Sequence, residues 1–168
     1  MESANAKGSA RLLHLSIAGS VLAHGEVFDP DLLQAMLYAD GKTPILLYPD
    51  TPGDHARGMP APPSLDAGLV ADVAALRLVV LDGTWRKSRK MLYQNPLLQA
   101  LPRLQLTGMD ASHYLIRKAH APDQLSTLEA TCHALGQIHG NIAAFEALLS
   151  AFDDFVAHFQ QTGGKLDA

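Results

Sequence analysis

Apolar positions fall in short runs along this chain, and their spacing changes from segment to segment. Residues 1–10 are small and polar and read as a frayed end. Arg11 to Ile17 alternates in part, which predicts a strand, and Val21 to Val27 continues it or pairs with it. Asp29 or Asp31 can cap a short helix over Leu32 to Tyr38, with Leu33, Met36 and Leu37 on one side. Pro44-Ile45-Leu46-Leu47-Tyr48-Pro49 is an apolar run between prolines and reads as a buried strand. Residues 50–64 are rich in proline and glycine, which forbids regular structure; a loop this long in a compact domain is functional or disordered. Leu69 to Leu76 suits a short helix. Leu78-Val79-Val80-Leu81 is continuous and β-branched, as expected of a central parallel strand, and stops at Asp82-Gly83-Thr84.

The second half continues the alternation. Trp85 to Tyr93 predicts a helix bounded by Pro96. Pro102 precedes a strand from Arg103 to Leu106, and Tyr114-Leu115-Ile116 is another. Leu125 to Ile138 predicts a helix, opened by Ser126 with Glu129 three positions later, a capping box. Gly140 ends it. Asn141 is placed to cap the last helix, where Ile142, Phe145, Leu148, Leu149, Phe152, Phe155, Val156 and Phe159 recur at helical spacing and read as core packing. Strands alternating with helices imply an α/β fold, a mostly parallel sheet flanked by helices. The length of 168 residues suits one compact domain, and no internal repeat is evident.

Composition adds two constraints. Hydrophobic residues make up 48% and charged residues 18% of the chain, enough to bury a sizeable core. The single cysteine, Cys132, excludes an internal disulfide framework or a cysteine-rich zinc cluster within the chain. At mid-helix it reads as packing. The eight histidines show no metal spacing. No apolar run has the length to span a bilayer, and the N-terminus lacks the pattern of a secretory signal. A cytoplasmic protein is the expectation.

Charge changes the picture more. The net charge of −4 argues against a nucleic-acid partner. Its distribution argues otherwise, because residues 77–118 hold eight Lys/Arg against two Asp/Glu, between acidic flanks. Such a block is either a phosphate-facing surface or an ordinary solvated face.

Three clusters can carry chemistry. Asp82-Gly83-Thr84-Trp85 stands at the C-terminal end of a strand, where open α/β sheets hold their ligands. Aspartate there can act as a base or hold a donor; Gly83 permits close backbone approach; Thr84 can cap the next helix; Trp85 offers a flat face. The plainer reading is a strand-to-helix turn with a packed tryptophan. Arg86-Lys87-Ser88-Arg89-Lys90 follows directly. Cations at a helix start are disfavoured by the helix dipole, which is easier to understand beside an RNA phosphate; ordinary solubility is the alternative. Last, Ser112-His113-Tyr114-Leu115-Ile116-Arg117 precedes Leu125-Ser126-Thr127-Leu128-Glu129-Ala130. A capped helix start attracts a carboxylate or phosphate, or is simply a capping box.

Asp82-Gly83-Thr84-Trp85 resembles the motif that names the DTW-domain family. Ser112-x-Tyr114-x-Ile116-Arg117 followed by Leu125 to Ala130 is similar to that family's second signature, and the order and gap also fit. Leu46-Leu47-Tyr48-Pro49 resembles its upstream strand and loop. The likeness runs from about Arg11 to Ile138, within a domain drawn as 11–162, with a tail at 163–168. Many relatives carry an N-terminal cysteine cluster and a His-Pro motif ahead of this core. Here Lys7 to Leu13 looks like only a remnant of that entry, so no metal is expected.

The resemblance implies transfer of the 3-amino-3-carboxypropyl group of S-adenosylmethionine to N3 of a tRNA uridine, releasing methylthioadenosine. It implies a SPOUT-like fold whose C-terminal part can be knotted. It makes Asp82, Thr84 and Trp85 the catalytic candidates. Leu47, Tyr48, Pro49, Leu81, Trp85 and Ile116 would contact S-adenosylmethionine, with Ser126 and Thr127 receiving its carboxylate. Arg86, Arg89, Lys90, Arg117 and Lys118 are the candidate phosphate contacts on tRNA. A SAM-dependent RNA methyltransferase and a non-catalytic tRNA- or SAM-binding module are the competing readings. A hydrolase fits less well, because Ser126 lacks a nucleophile-elbow context.

Overall fold

A computed structural model describes residues 4–49, 51, 58–65, 67–107 and 125–161. In chain order these form helices α1 (Ala4–Ser16) and α2 (Pro30–Leu37), strand β1 (Thr43–Leu47), helix α3 (Ala67–Ala71), strand β2 (Leu76–Val79), helices α4 (Trp85–Gln94) and α5 (Pro96–Gln99), strand β3 (Arg103–Leu104), and helices α6 (Thr127–His139) and α7 (Glu146–Gln161). Short 3-10 turns occupy Ala39–Gly41, Val73–Ala75 and Ile142–Phe145. The fold is α/β, with a parallel sheet and flanking helices. No helix among the described residues is long and apolar enough to cross a membrane. The chain gathers into two compact units, residues 22–124 and residues 1–21 with 125–168.

The sheet unit is built around β1. Its strand order is β2-β1-β3. Ile45 pairs with Leu78 and Leu46 with Val79 on one side; Leu46 and Leu47 face Arg103 and Leu104 on the other. Among the described strands the central one is therefore β1, not the Leu78 to Leu81 run expected there. Ile45 and Leu46 are wholly buried, as a strand between two neighbours and two covered faces demands. The ladder fixes where β2 lies. Thr43 faces Leu76, so β2 starts two residues before the expected Leu78. It ends at Val79 because β1 ends at Leu47. The same pairing takes Leu76 out of the helix expected over Leu69 to Leu76, leaving α3 and a 3-10 turn. Leu33 and Leu37 of α2, Leu92 of α4, Leu98 of α5 and Leu101 close over Leu46, Tyr48 and Met59 to form the core. Asp29 caps α2, its carboxylate accepting from the backbone N–H of Asp31 and Leu32.

Val21 to Val27, expected to continue the preceding strand or pair with it, is irregular. Val21 and Val27 are exposed. Nearby, the buried Asn95 amide bonds the backbone, donating to Glu26 O at 2.8 Å and Met91 O at 2.6 Å and accepting from Phe28 N at 3.0 Å. Those side-chain bonds occupy backbone groups that a ladder would use.

The helical unit corrects a second expectation. Arg11 to Ile17 belongs mostly to helix α1, which also takes in residues 4–10, read from sequence as frayed. Ser9, Leu12 and Leu13 sit at helical spacing. Ser9 is buried, and Leu12 and Leu13 pack on Leu128, Cys132 and Leu149, while Leu15 is exposed. The period-2 alternation was thus accidental, and packing selected the 3.6 period. The α6 capping box forms as expected. Ser126 Oγ accepts from Glu129 N at 3.2 Å, and Glu129 accepts from Ser126 N at 2.7 Å. Gly140 adopts φ 65°, and α6 closes with Asn141 N–H to Gly136 O at 2.9 Å, a Schellman ending. Asn141 leads into the 3-10 turn and makes no side-chain cap, so α7 starts later, at Glu146. Within the last-helix stripe, Leu149 is buried and Phe145, Leu148 and Phe152 pack on the core, while Ile142 and Phe155 are largely exposed. The strand expected at Tyr114 to Ile116 lies outside the described residues.

Candidate active site at the C-terminal edge of the sheet

Parallel strands deliver their C-terminal ends to one edge of the sheet. Here that edge carries Leu47 at the end of β1, Tyr48 and Pro49 just after it, and Leu81 and Asp82 after β2. Leu81 is half-buried against the core, and Leu47 and Asp82 are half-buried as well. Pro49 is exposed.

The turn from β2 into α4 follows from its residues. Gly83 has φ +155°, a region that side chains disfavour, and a Cβ there would meet Lys87 Cβ at 3.1 Å. The backbone angle therefore favours glycine, and a side chain would also have to push Lys87 aside by a few tenths of an ångström. Thr84 is the N-cap of α4, its hydroxyl accepting from Lys87 N at 3.4 Å and its carbonyl accepting from Ser88 N at 2.9 Å. Ser88 is buried and donates to Trp85 O at 3.1 Å. Met91 and Leu92, three and four residues on, are buried on the same side of the helix. The Asp82-Gly83-Thr84-Trp85 segment is thus both the helix cap that the plainer reading expected and a fixed platform at the strand end.

Trp85 does not pack away in the core. It is 47% exposed, and its ring stacks on Tyr48 with centroids 5.1 Å apart and planes 14° from parallel. Arg103 approaches Tyr48 too, its guanidinium carbon 5.0 Å from the ring centroid. Offset stacking and cation–π contact each stabilise such an arrangement by roughly 0.5–2 kcal/mol. Sequence reasoning took Arg103 as a strand residue only. Its signal was there, a charged side chain in a strand between Pro102 and Leu104.

The basic block divides. Arg77 donates to Met36 O and pairs with Asp40 at 3.2 Å. Arg103 is buried. Lys90 forms an ion pair with Glu26, so this candidate phosphate contact is already engaged. Arg89 lies over Tyr93, 5.9 Å from its centroid. Arg86 and Lys87 are exposed at the start of α4. Ile116, Arg117 and Lys118 lie outside the described residues. Ser126 and Thr127 open α6 in the other unit, where Ser126 forms the capping box and Thr127 O accepts from Thr131 Oγ1 at 2.7 Å.

Beyond this geometry, the sequence matches the DTW domain over residues 1–160. The chain belongs to the DTW-domain family. Two relatives are named tRNA-uridine aminocarboxypropyltransferase 2, one from Macaca fascicularis and one from Mus musculus. Each is 29% identical over 89 residues, an alignment covering 53% of this chain and 30% of the relative. The DTW chain therefore matches under a third of the length of those relatives. No solved structure matches it.

Proposed function

We propose that this DTW protein transfers the 3-amino-3-carboxypropyl group of S-adenosylmethionine to N3 of a uridine in tRNA. The observation that carries the reading is the placement of Asp82-Gly83-Thr84-Trp85 at the C-terminal sheet edge, with Trp85 exposed and stacked on Tyr48. Family membership and the names of the two relatives support it.

The residues present suit the donor. Leu47, Pro49 and Leu81 offer apolar surface and backbone at one edge, over the buried Tyr48, the lining that a nucleoside with a soft sulfonium takes. S-adenosylmethionine supplies an electrophilic Cγ with a neutral thioether as leaving group. The chain must then present Cγ rather than the methyl carbon, so its contribution is largely orientation. Asp82 takes or positions the uridine N3 proton, N3 bonds to Cγ, the Cγ–S bond breaks, and methylthioadenosine leaves. Thr84 and Gly83 set where the Asp82 carboxylate and the Trp85 ring stand. Arg86 and Arg89 are the phosphate contacts, and both lie on the helix that begins at this edge. A cytoplasmic location suits a tRNA substrate.

Incubating the protein with labelled S-adenosylmethionine and total tRNA, then weighing the nucleosides, tests the reading. The expected product is an aminocarboxypropyl uridine. A methylated nucleoside instead makes the protein a methyltransferase. Asp82→Ala should abolish transfer with modest loss of donor affinity; parental turnover in that variant refutes the role given to Asp82.

A further inference from the structure

Helix α4 starts at the sheet edge with Trp85 and carries an aromatic residue, Tyr93, that the reaction above does not use. On a helix surface, i,i+4 neighbours line up into ridges. Trp85, Arg89 and Tyr93 make one such ridge, and Arg86 and Lys90 make the one beside it. The helix buries Ser88, Met91 and Leu92 instead. Tyr93, like Trp85, stays open to solvent and is 39% exposed.

Trp85 and Tyr93 stand eight residues apart, which is about 12 Å along the axis. Bases stacked in a helix rise only about 3.4 Å per step. A strand that uses both rings must therefore splay its bases, as single-stranded RNA can and a duplex cannot. Arg89 stands midway on the ridge. Its guanidinium carbon lies 5.9 Å from the Tyr93 centroid, a cation–π contact that orients the ring. Charge selects the same kind of partner. α4 holds four Lys/Arg and no Asp/Glu. Lys90 is paired with Glu26, while Arg86 and Lys87 are exposed. Protein interfaces are depleted in lysine, whereas nucleic-acid backbones are held by Lys and Arg.

We propose that the Trp85–Arg89–Tyr93 ridge is a track for single-stranded RNA, on which Tyr93 stacks a base flanking the target uridine while Arg86, on the adjoining ridge, meets phosphate. This rests on the tRNA reading above and adds to it a base-binding residue about two helical turns from the Asp82 segment.

The intact protein is titrated, without S-adenosylmethionine, with a labelled single-stranded RNA carrying one uridine, with the duplex of that RNA, and with a series in which each nucleotide flanking the uridine is abasic in turn. Fluorescence anisotropy reads the affinity. Tyr93→Leu keeps apolar bulk and helix propensity but has no flat face. It should weaken single-strand binding about tenfold, and Tyr93→Phe should restore it. The slope of log affinity against log salt should be unchanged in Tyr93→Leu and shallower by about 0.7 in Arg86→Gln, which separates lost stacking from lost charge. One flanking abasic position should cost the parent about tenfold and cost Tyr93→Leu nothing further, because both deletions remove the same contact. Parental affinity in a folded Tyr93→Leu protein overturns the proposal, as does an unchanged slope in Arg86→Gln or an abasic loss that is equal in both proteins at every position. Should Tyr93→Leu fail to fold, the parent decides. Affinity indifferent to every flanking abasic position, or a duplex bound as tightly as the single strand, overturns the track. The two readings fail separately. Aminocarboxypropyl transfer with RNA binding indifferent to Tyr93 sinks only this inference, whereas the abasic pattern without transfer sinks only the activity.

Discussion

Replacing Gly136 by alanine sets two effects of opposite sign against each other in α6. Alanine in a helix interior is favoured over glycine by about 1 kcal/mol. Space opposes it. A Cβ at position 136 would lie 2.6 Å from Ile142 Cδ1, 2.8 Å from Ile142 Cα and 3.1 Å from Ile142 Cβ. The Cδ1 atom can swing aside, but the Cα cannot move without its backbone. Reaching ordinary contact requires the 3-10 turn to shift by roughly 0.6 Å or more, an overpacking strain of about 1–3 kcal/mol. The same shift loosens Asn141 N–H to Gly136 O, 2.9 Å long in the Schellman ending, which adds about 1 kcal/mol. Strain and the weakened bond outweigh propensity, and Gly136→Ala should destabilise by about 1–3 kcal/mol. Urea unfolding with an unchanged m-value measures it. Ile142→Ala in the same chain should rescue only part of the loss, because it removes Cδ1 and leaves Cα in place. Gly140→Ala is the control. Nothing lies within 4 Å of its Cβ, but its φ of 65° remains, so its loss of about 1–2 kcal/mol is purely conformational and Ile142→Ala should not touch it. A Gly136→Ala protein as stable as the parent would refute the close-approach argument.

Three further outcomes follow from other contacts. Asn95→Ala removes the amide that bonds Phe28 N, Glu26 O and Met91 O; a loss of about 3 kcal/mol is expected by thermal or urea unfolding, and a change below about 1 kcal/mol contradicts it. Gly83→Ala meets a φ of +155° and a tight approach to Lys87, so it should cost about 1–3 kcal/mol by urea unfolding and also lower transfer to tRNA, because it moves the Asp82 segment. Ser126→Ala deletes one half of the capping box and should lower stability by about 1 kcal/mol; an unchanged urea midpoint would show that Glu129 alone suffices.

Local rules were legible in the sequence wherever a side chain acts on backbone within a few residues. Asp29 before α2, Thr84 before α4 and Ser126 before α6 each place an oxygen within reach of an N–H two or three positions on, and that geometry needs no tertiary context. Gly140 stops α6 for the same reason. The apolar run at Ile45 and Leu46 announced a buried strand because two covered faces leave no polar position. The Asp82-Gly83-Thr84-Trp85 segment was likewise legible, as a turn and as a family signature.

Partners brought together from distant strands were not. Whether Leu12 and Leu13 lie on a strand or a helix was decided by Leu128, Cys132 and Leu149, which outweigh a weak local alternation. Which strand is central depended on register, since β1 pairs on both sides while β2 pairs on one. The fate of the basic block also lay beyond sequence. Charge counting treats Arg77, Lys90 and Arg103 alike, yet Asp40, Glu26 and Tyr48, between 37 and 64 residues away, give each a partner within the protein. An ion pair or a ring contact is a matter of a few ångströms in space. Chain order sets that distance only through the fold, so the Arg103–Tyr48–Trp85 contacts exist for the tertiary structure alone.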